Sequence, residues 1–250
     1  MHNKKVALVT GANKGIGLQI AKDLATHNFT VLVGSRNLQN GEAAAKTVAP
    51  DAQAIQLDVT DQSSITTAAE KIRKDFGRLD VLVNNAAISH TGKPGTSFDE
   101  IIASGKASTV PLADVRAIWD TNVFGVIAVT QAMLPLLREA PSPRIVNVSS
   151  TVGSLTGNSN PANQYRNIFA PGYAASKTAL NAITLAFAIE LENTKIKVNA
   201  VCPGYVATDL NNFRGHRTVQ QGATQPVRLA LLDDNGPTGT YSNEDGPIPW

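Results

Sequence analysis

A chain that runs Lys5-Val-Ala-Leu-Val-Thr10 directly into Gly11-Ala-Asn-Lys-Gly15-Ile-Gly17, and then into a helical periodicity from Leu18 to Phe29, has few folds open to it. An apolar run without alternation suits a strand buried on both faces, so helices must cover both sides of its sheet. Glycines at the turn let the backbone approach a ligand, and the free N–H groups and dipole of the following helix favour an anion. The three pieces together predict a phosphate cradle. Strand-like and helix-like segments alternate through the rest of the chain. The strands are expected at Lys5 to Thr10, Thr30 to Ser35, Ala54 to Asp58, Val81 to Asn84, Arg144 to Ser149, Lys197 to Val201 and Gly239 to Ser242. Helices are expected at Gly15 to Asn28, Asn40 to Val48, Gln62 to Phe76, Leu112 to Leu137 and Gly172 to Asn193, with a broken region from Ala207 to Leu232. Such alternation is the pattern of an α/β parallel sheet with helices on both faces. Ile88 to Pro111, Thr151 to Pro171 and Tyr205 to Pro226 fit no regular element. They follow strand carboxyl ends and are expected to wall a substrate pocket.

A second feature carries chemistry. Tyr173 and Lys177 stand four positions apart in Gly172-Tyr-Ala-Ala-Ser-Lys177, which puts a phenol and an ammonium on one face of a helix, one turn apart. A free tyrosine titrates near pH ~10, and a neighbouring cation is expected to lower that value. Upstream, Ile145-Val-Asn-Val-Ser-Ser150 ends a strand in a serine pair, and alternation aims only one of the two hydroxyls at a pocket. A serine beside the phenol can hold a substrate oxygen while the tyrosine moves a proton. The second strand ends Val33-Gly34-Ser35-Arg36-Asn37 with no acid, where an acid gripping ribose hydroxyls would mark NAD. Arg36 is a fork suited to phosphate, and Lys14 sits at a helix start where the dipole disfavours a cation unless an anion is near. Ser35, Arg36 and Lys14 therefore read as a clamp on the 2′-phosphate of NADP(H).

These motifs together resemble the short-chain dehydrogenase/reductase family in its single-domain form, and its carbonyl reductase branch in particular. The matching pieces are Thr10 to Gly17, Leu57-Asp58-Val59, Asn84-Asn-Ala-Ala87, Asn122 in Thr-Asn-Val-Phe-Gly125, Ser149-Ser150, Tyr173 to Lys177, and Pro203-Gly204 with Thr208. Ala87 departs from the glycine usual there. The resemblance implies a Rossmann-type doubly wound sheet of about seven strands in the order 3-2-1-4-5-6-7, with the cofactor across the carboxyl edge between strands 1 and 4. It implies one domain over 1–250, with NADP bound mainly by the N-terminal half and the catalytic and substrate loops in 88–111, 150–177 and 203–226. A catalytic tetrad of Asn122, Ser150, Tyr173 and Lys177 is implied. So is a cofactor set of Gly11, Asn13, Lys14, Gly15, Ile16, Gly17, Ser35, Arg36, Asp58, Val59, Asn85, Ala86, Ala87, Tyr173, Lys177, Pro203, Gly204, Val206 and Thr208. The implied reaction is reduction of a small-molecule carbonyl, or its reverse on the alcohol. Some relatives in that branch reduce carbon–carbon double bonds and lack the tyrosine.

Composition narrows the partners. The 250 residues carry 22 basic and 20 acidic side chains, a net charge of +2, so no global field points to nucleic acid or an anionic membrane. Met1 to Lys5 leads directly into the first strand and no apolar run stands out as a membrane span, so a cytoplasmic chain is expected. The single Cys202 is expected to be a small buried residue in a reducing compartment. His90 has no partner at metal-ligand spacing, and no metal is expected. Asn147-Val-Ser149 matches a glycosylation triplet but lies on a strand expected to be buried. The helix from Gly172 to Asn193 carries Ala174, Ala175, Ala179, Ala182 and Ala186, a face suited to pairing across a two-fold axis, so a homodimer or homotetramer is expected.

Overall fold

The computed structural model describes residues 4–93 and 95–250. Met1 to Asn3 and Pro94, which fall in the opening run and in the 88–111 loop, lie outside them. Strand β1 (Lys5–Val9) is followed by α1 (Gly15–Thr26), β2 (Phe29–Ser35), α2 (Leu38–Val48), β3 (Gln53–Gln56), α3 (Gln62–Phe76) and β4 (Val81–Asn84). After a loop come α4 (Phe98–Ser104), α5 (Leu112–Trp119), a π-helical turn (Asp120–Phe124), α6 (Gly125–Arg138) and β5 (Arg144–Val148). The remaining elements are α7 (Leu155–Ser159), α8 (Tyr173–Glu190), β6 (Lys197–Val201), α9 (Val219–Ala230), β7 (Tyr241–Asn243) and β8 (Gly246–Pro247). They form one sheet in the order β3-β2-β1-β4-β5-β6-β7-β8. Seven strands are parallel, in the expected order. The eighth, not expected from the sequence, returns antiparallel on β7 through Ser242 opposite Pro247.

The period of the strands explains their unbroken apolar runs. Val6 and Leu8 of β1 join Leu82, Ile145 and Val198 on one face of the sheet, under α3, α6 and α8. Their alternates Ala7 and Val9 join Val31, Val83, Val146 and Val201 on the other, under α1, α2 and α9. With both faces buried, no position in the central strands has to be polar for solvent, and the strands stack in register from Lys5 opposite Phe29 to Val148 opposite Val201.

Three differences from the sequence reading matter for the site. The 88–111 stretch contains α4, opened by a capping box in which Ser97 and Glu100 satisfy each other's backbone N–H groups. Helix α9 runs through Pro226, which the reading placed at the end of an irregular segment. The helical stretch Leu112–Arg138 is, by length and composition, apolar enough to cross a membrane, contrary to the reading of its composition. Half of its most apolar 18-residue window is buried inside the fold, and Val129, Met133, Leu136 and Leu137 pack on the sheet, which accounts for its apolarity.

Candidate active site

The glycine turn is shaped by contacts that a side chain would prevent. Gly11 and Gly15 hold φ of +61° and +60°, the left-handed region that favours glycine. A Cβ on Gly17 would stand 2.4 Å from Asn85 Nδ2 and 2.7 Å from the Gly11 carbonyl. Lys14, at the N-cap of α1, is extended and makes no side-chain cap, so the first-turn N–H groups face the carboxyl edge of the sheet uncapped. This is an anion cradle, and it fits the pyrophosphate of a dinucleotide. Asn13 and Ile16 sit half-buried in the turn, Ile16 packed on the core beneath. Asn85 pins the turn to β4: its Nδ2 donates to the Thr10 and Gly11 carbonyls at 2.9 and 3.2 Å, while Thr10 Oγ1 accepts from the N–H of Asn85 and of Ala86 at 3.0 Å each. Ala86 lies against Gly11, and Ala87 follows half-buried at the strand end.

At the far end of the cleft, Ser35 is buried and donates to the Asn37 carbonyl at 2.8 Å. Arg36 is exposed and unpaired among the described residues. Lys14 Nζ lies 3.1 Å from the Asp209 carboxylate, so the anion near this cation is a side chain of the chain itself. Asp58 Oδ1 accepts from the N–H and hydroxyl of Thr60 at 2.9 and 2.7 Å, closing the turn after β3, with Val59 packed on the core behind it. The strap after β6 passes over the cradle. Pro203 is half-buried, Gly204 takes a φ of +80°, Val206 is buried, and Thr208 comes within van der Waals reach of the position a Gly15 side chain would occupy.

The groups expected to be catalytic meet at the carboxyl ends of β5 and β6. Ser149 turns into the protein, its hydroxyl donating to Asn181 Oδ1 at 2.6 Å. Ser150 is extended and half-buried, and its side chain lies beside the Tyr173 phenol and acts to lower its pKa. Lys177, 3% exposed, donates to the Val148 carbonyl at 2.8 Å, and its Nζ lies 5.6 Å from the centre of the Tyr173 ring. Burial pushes the Lys177 ammonium down to about 8. Burial likewise pushes the Tyr173 phenol well above its ordinary value, Cys202 adds to that, and Ser150 pulls the other way. The net shift of the phenol is thus upward, opposite in direction to the lowering expected from Lys177, and burial is its main cause. Asn122 lies in the π-helical turn, where its Oδ1 accepts from Ile88 N–H and its Nδ2 donates to Ile88 O, both at 2.9 Å, and to Ser176 Oγ at 3.0 Å. It thus fixes the β4 exit loop to α8, and a π-turn is a frequent mark of a functional position.

Several structural partners escaped the sequence reading. Asn84, Asn147, Thr130 and Thr184 form a buried chain beneath the site, with Asn84 Nδ2 to Asn147 Oδ1 at 2.8 Å and Asn147 Nδ2 to Thr184 Oγ1 at 2.9 Å. Cys202 does more than fill space, since its sulfur accepts the N–H groups of Thr151 at 3.2 Å and Gly204 at 3.4 Å. Phe98, read as pocket lining, lies under the Arg214 guanidinium at 4.8 Å. Trp119 donates to the Pro171 carbonyl at 2.9 Å and anchors the loop before α8.

With this geometry in place, comparison with known proteins is decisive. The profile of the short chain dehydrogenase family matches residues 5–218. The chain belongs to that family. It is 35% identical to a (+)-neomenthol dehydrogenase of Arabidopsis thaliana, over 95% of each chain. Among solved structures it superposes on salutaridine reductase from Papaver somniferum with a TM-score of 0.79 and 30% identity, covering 95% of this chain and 99% of that one. An NADPH-bound carbonyl reductase from chicken fatty liver gives a TM-score of 0.79 at 27% identity over 99% of both. Membership makes the chain an oxidoreductase working between alcohol and carbonyl groups.

Proposed function

We propose that this protein is an NADPH-dependent carbonyl reductase, moving hydride reversibly between NADP(H) and a medium-sized, largely apolar ketone, ketoester or aldehyde. The observation that carries this reading is the meeting of Tyr173, Ser150 and the buried Lys177 beside the glycine cradle. Reduced nicotinamide, when bound, supplies the hydride. Tyr173 delivers a proton to the carbonyl oxygen, so that no free alkoxide forms. The phenol carries its proton at neutral pH, as a donor must. Ser150 holds the same oxygen and stabilises its developing charge. Lys177 holds the ribose side of the cofactor and passes protons toward Tyr173, and Asn122 keeps the Ile88 loop and α8 in register for that exchange.

The choice of NADP rests on the missing acid after β2, the unpaired Arg36, and Lys14, whose bond to Asp209 a 2′-phosphate can replace. The apolar substrate rests on Leu155, Phe169, Tyr205 and Phe213, large side chains left exposed on the two loops beside the cleft. Cytoplasmic placement rests on the single, buried, unpaired thiol. Tyr173→Phe tests the reading. It keeps the ring and its packing, so NADPH should bind with unchanged Kd while ketone reduction falls by a factor of ~100 or more. Retained reduction by that variant would assign the proton to another group.

A further inference from the structure

Residues 248–250 lie far from the glycine cradle in sequence and in no motif, yet they reach the loop that leaves Ser150. Ile248 N–H donates to the Tyr241 carbonyl at 2.8 Å, which folds the segment back over β7. The Trp250 ring then stacks on the Tyr241 ring, with centroids 5.5 Å apart and planes at 26°. Tyr241, Ala200, Cys202, Ile248 and Trp250 make a small apolar cluster of their own, separate from both main cores. From this anchor the backbone carbonyls point at the wall of the cleft. Ser154 Oγ donates to the Pro249 carbonyl at 2.6 Å, and Thr156 N–H donates to the Trp250 carbonyl at 3.0 Å. The same Ser154 hydroxyl accepts from Gly157 N–H at 2.9 Å and so caps α7.

The wall these bonds hold is continuous with the catalytic groups. Thr151 N–H is tied to the Cys202 sulfur, and the Gly153 carbonyl accepts from Thr178 Oγ1 at 2.8 Å, one residue beyond Lys177. A Cβ on Gly153 would stand 2.7 Å from the Lys177 backbone, so this turn sits directly on the catalytic helix. Its outer part has less support. Leu155 is 54% exposed, and α7 has only five residues, too short to hold its own shape. Asn158 braces it from inside by donating to the carbonyls of Val152 and Ser154.

We infer that Trp250 is a specificity-determining positioning residue: through the Pro249 and Trp250 carbonyls it fixes the 151–159 wall, and with it Val152 and Leu155, against carbonyl substrates large enough to reach them. The inference rests on the carbonyl reductase reading for the identity of the substrate and on the hydrogen bonds above for the strut. A small ketone that meets only Ser150 and Tyr173 is indifferent to the wall. A bulky one depends on it, because displacement of a positioning element by about an ångström can lower kcat/KM by up to ~100-fold.

The test uses the full chain with Trp250→Ala and Trp250→Phe, and two readouts. In hydrogen exchange, Trp250→Ala should speed exchange at the Thr156 and Gly157 amides by roughly a hundredfold while Ala200 and Cys202 in the sheet stay protected. In kinetics, KM for a bulky ketone should rise about tenfold, with kcat/KM for a small ketone and the Kd of NADPH unchanged. Trp250→Phe, which keeps a stacking ring, should restore both. Unchanged protection at Thr156 overturns the inference, as does equal loss of protection across β6 and β7, which would make Trp250 a plain stabiliser of the sheet edge. Faster exchange at Thr156 in Trp250→Ala, in a protein whose wild type turns over no ketone, would overturn the carbonyl reading and leave the strut standing.

Discussion

Lys177 shows how a side chain of the proposed catalytic set is held against its own preference. Its charge is buried, and its pKa falls from 10.5 to about 8, which represents about 3 kcal/mol of unfavourable burial at neutral pH. Below about pH 8 the folded and unfolded chains both carry the proton and the full penalty is felt. Between about pH 8 and 10 the unfolded chain holds more protons than the folded one, so stability rises with pH. Above pH ~10 the raised pKa values of Tyr173 and Tyr241 act in the opposite sense, because the unfolded phenols ionise first. Chemical denaturation of the cofactor-free protein should show this rise between pH 8 and 10, and Lys177→Met should abolish it. A flat wild-type profile would mean that the ammonium is better solvated than its surroundings indicate. At the other end of the cleft, Arg36→Ala should raise KM for NADPH by roughly 10- to 100-fold and barely alter that for NADH, since charge-assisted bonds to a phosphate contribute about 1.5–3 kcal/mol. A wild-type preference for NADH would sink the clamp.

At the scale of elements, the long helix after the 88–111 loop turns on one glycine. Gly125 ends the π-turn by donating its N–H to the Asp120 carbonyl, and a Cβ there would stand 2.7 Å from the Val59 carbonyl. In an open helix, replacing glycine by alanine gains ~1 kcal/mol. Here the obstacle is backbone, which cannot swing aside, so Gly125→Ala should destabilise by about 1–3 kcal/mol and impair turnover through the adjacent Asn122. A gain in stability on urea denaturation would refute the close approach. Gly125 also marks what was readable beforehand. Strands with unbroken apolar runs and most helices of three turns or more were visible as periodicity, and the glycine cradle and Tyr173 with Lys177 as spacing; α9 was hidden by the Pro226 inside it. Short elements were not visible either. The five-residue α7 has too few residues for periodicity, while α4, at seven residues, is marked only by its capping signal Ser97-Phe-Asp-Glu100. The Asn84, Asn147, Thr130 and Thr184 chain joins two strands and two helices distant in sequence, and only the tertiary packing brings such partners together.

For the whole molecule, the two helices that cover the β4 to β6 side of the sheet leave apolar surface facing outward. Phe124 at the start of α6 is 56% exposed and Ile189 of α8 is 58% exposed, with Leu185, Ala182 and Ala186 exposed on the same stretch of α8. The alanine face expected from the sequence is narrower than it looked, because Ala174 is buried. Residues 157–171, just before Tyr173, could have covered this surface, and they do not. The Ala170 carbonyl accepts from Ala175 N–H, Pro171 is held by Trp119 of α5, and Asn163 reaches the Gly157 carbonyl, so this segment folds around the first turn of α8 and leaves Ala182, Leu185, Ala186 and Ile189 exposed. With a net charge of only +2, no long-range repulsion opposes association of two such faces. Small residues flanked by Leu185 and Ile189 allow the close helix approach that a two-fold pairing needs. Light scattering over a dilution series should therefore give a mass of at least twice the 26.3 kDa of one chain, and Ile189→Glu, which places a like charge opposite itself across the axis, should shift the mass toward the monomer. A mass near 26.3 kDa at every concentration would show that the exposed face stays unpaired.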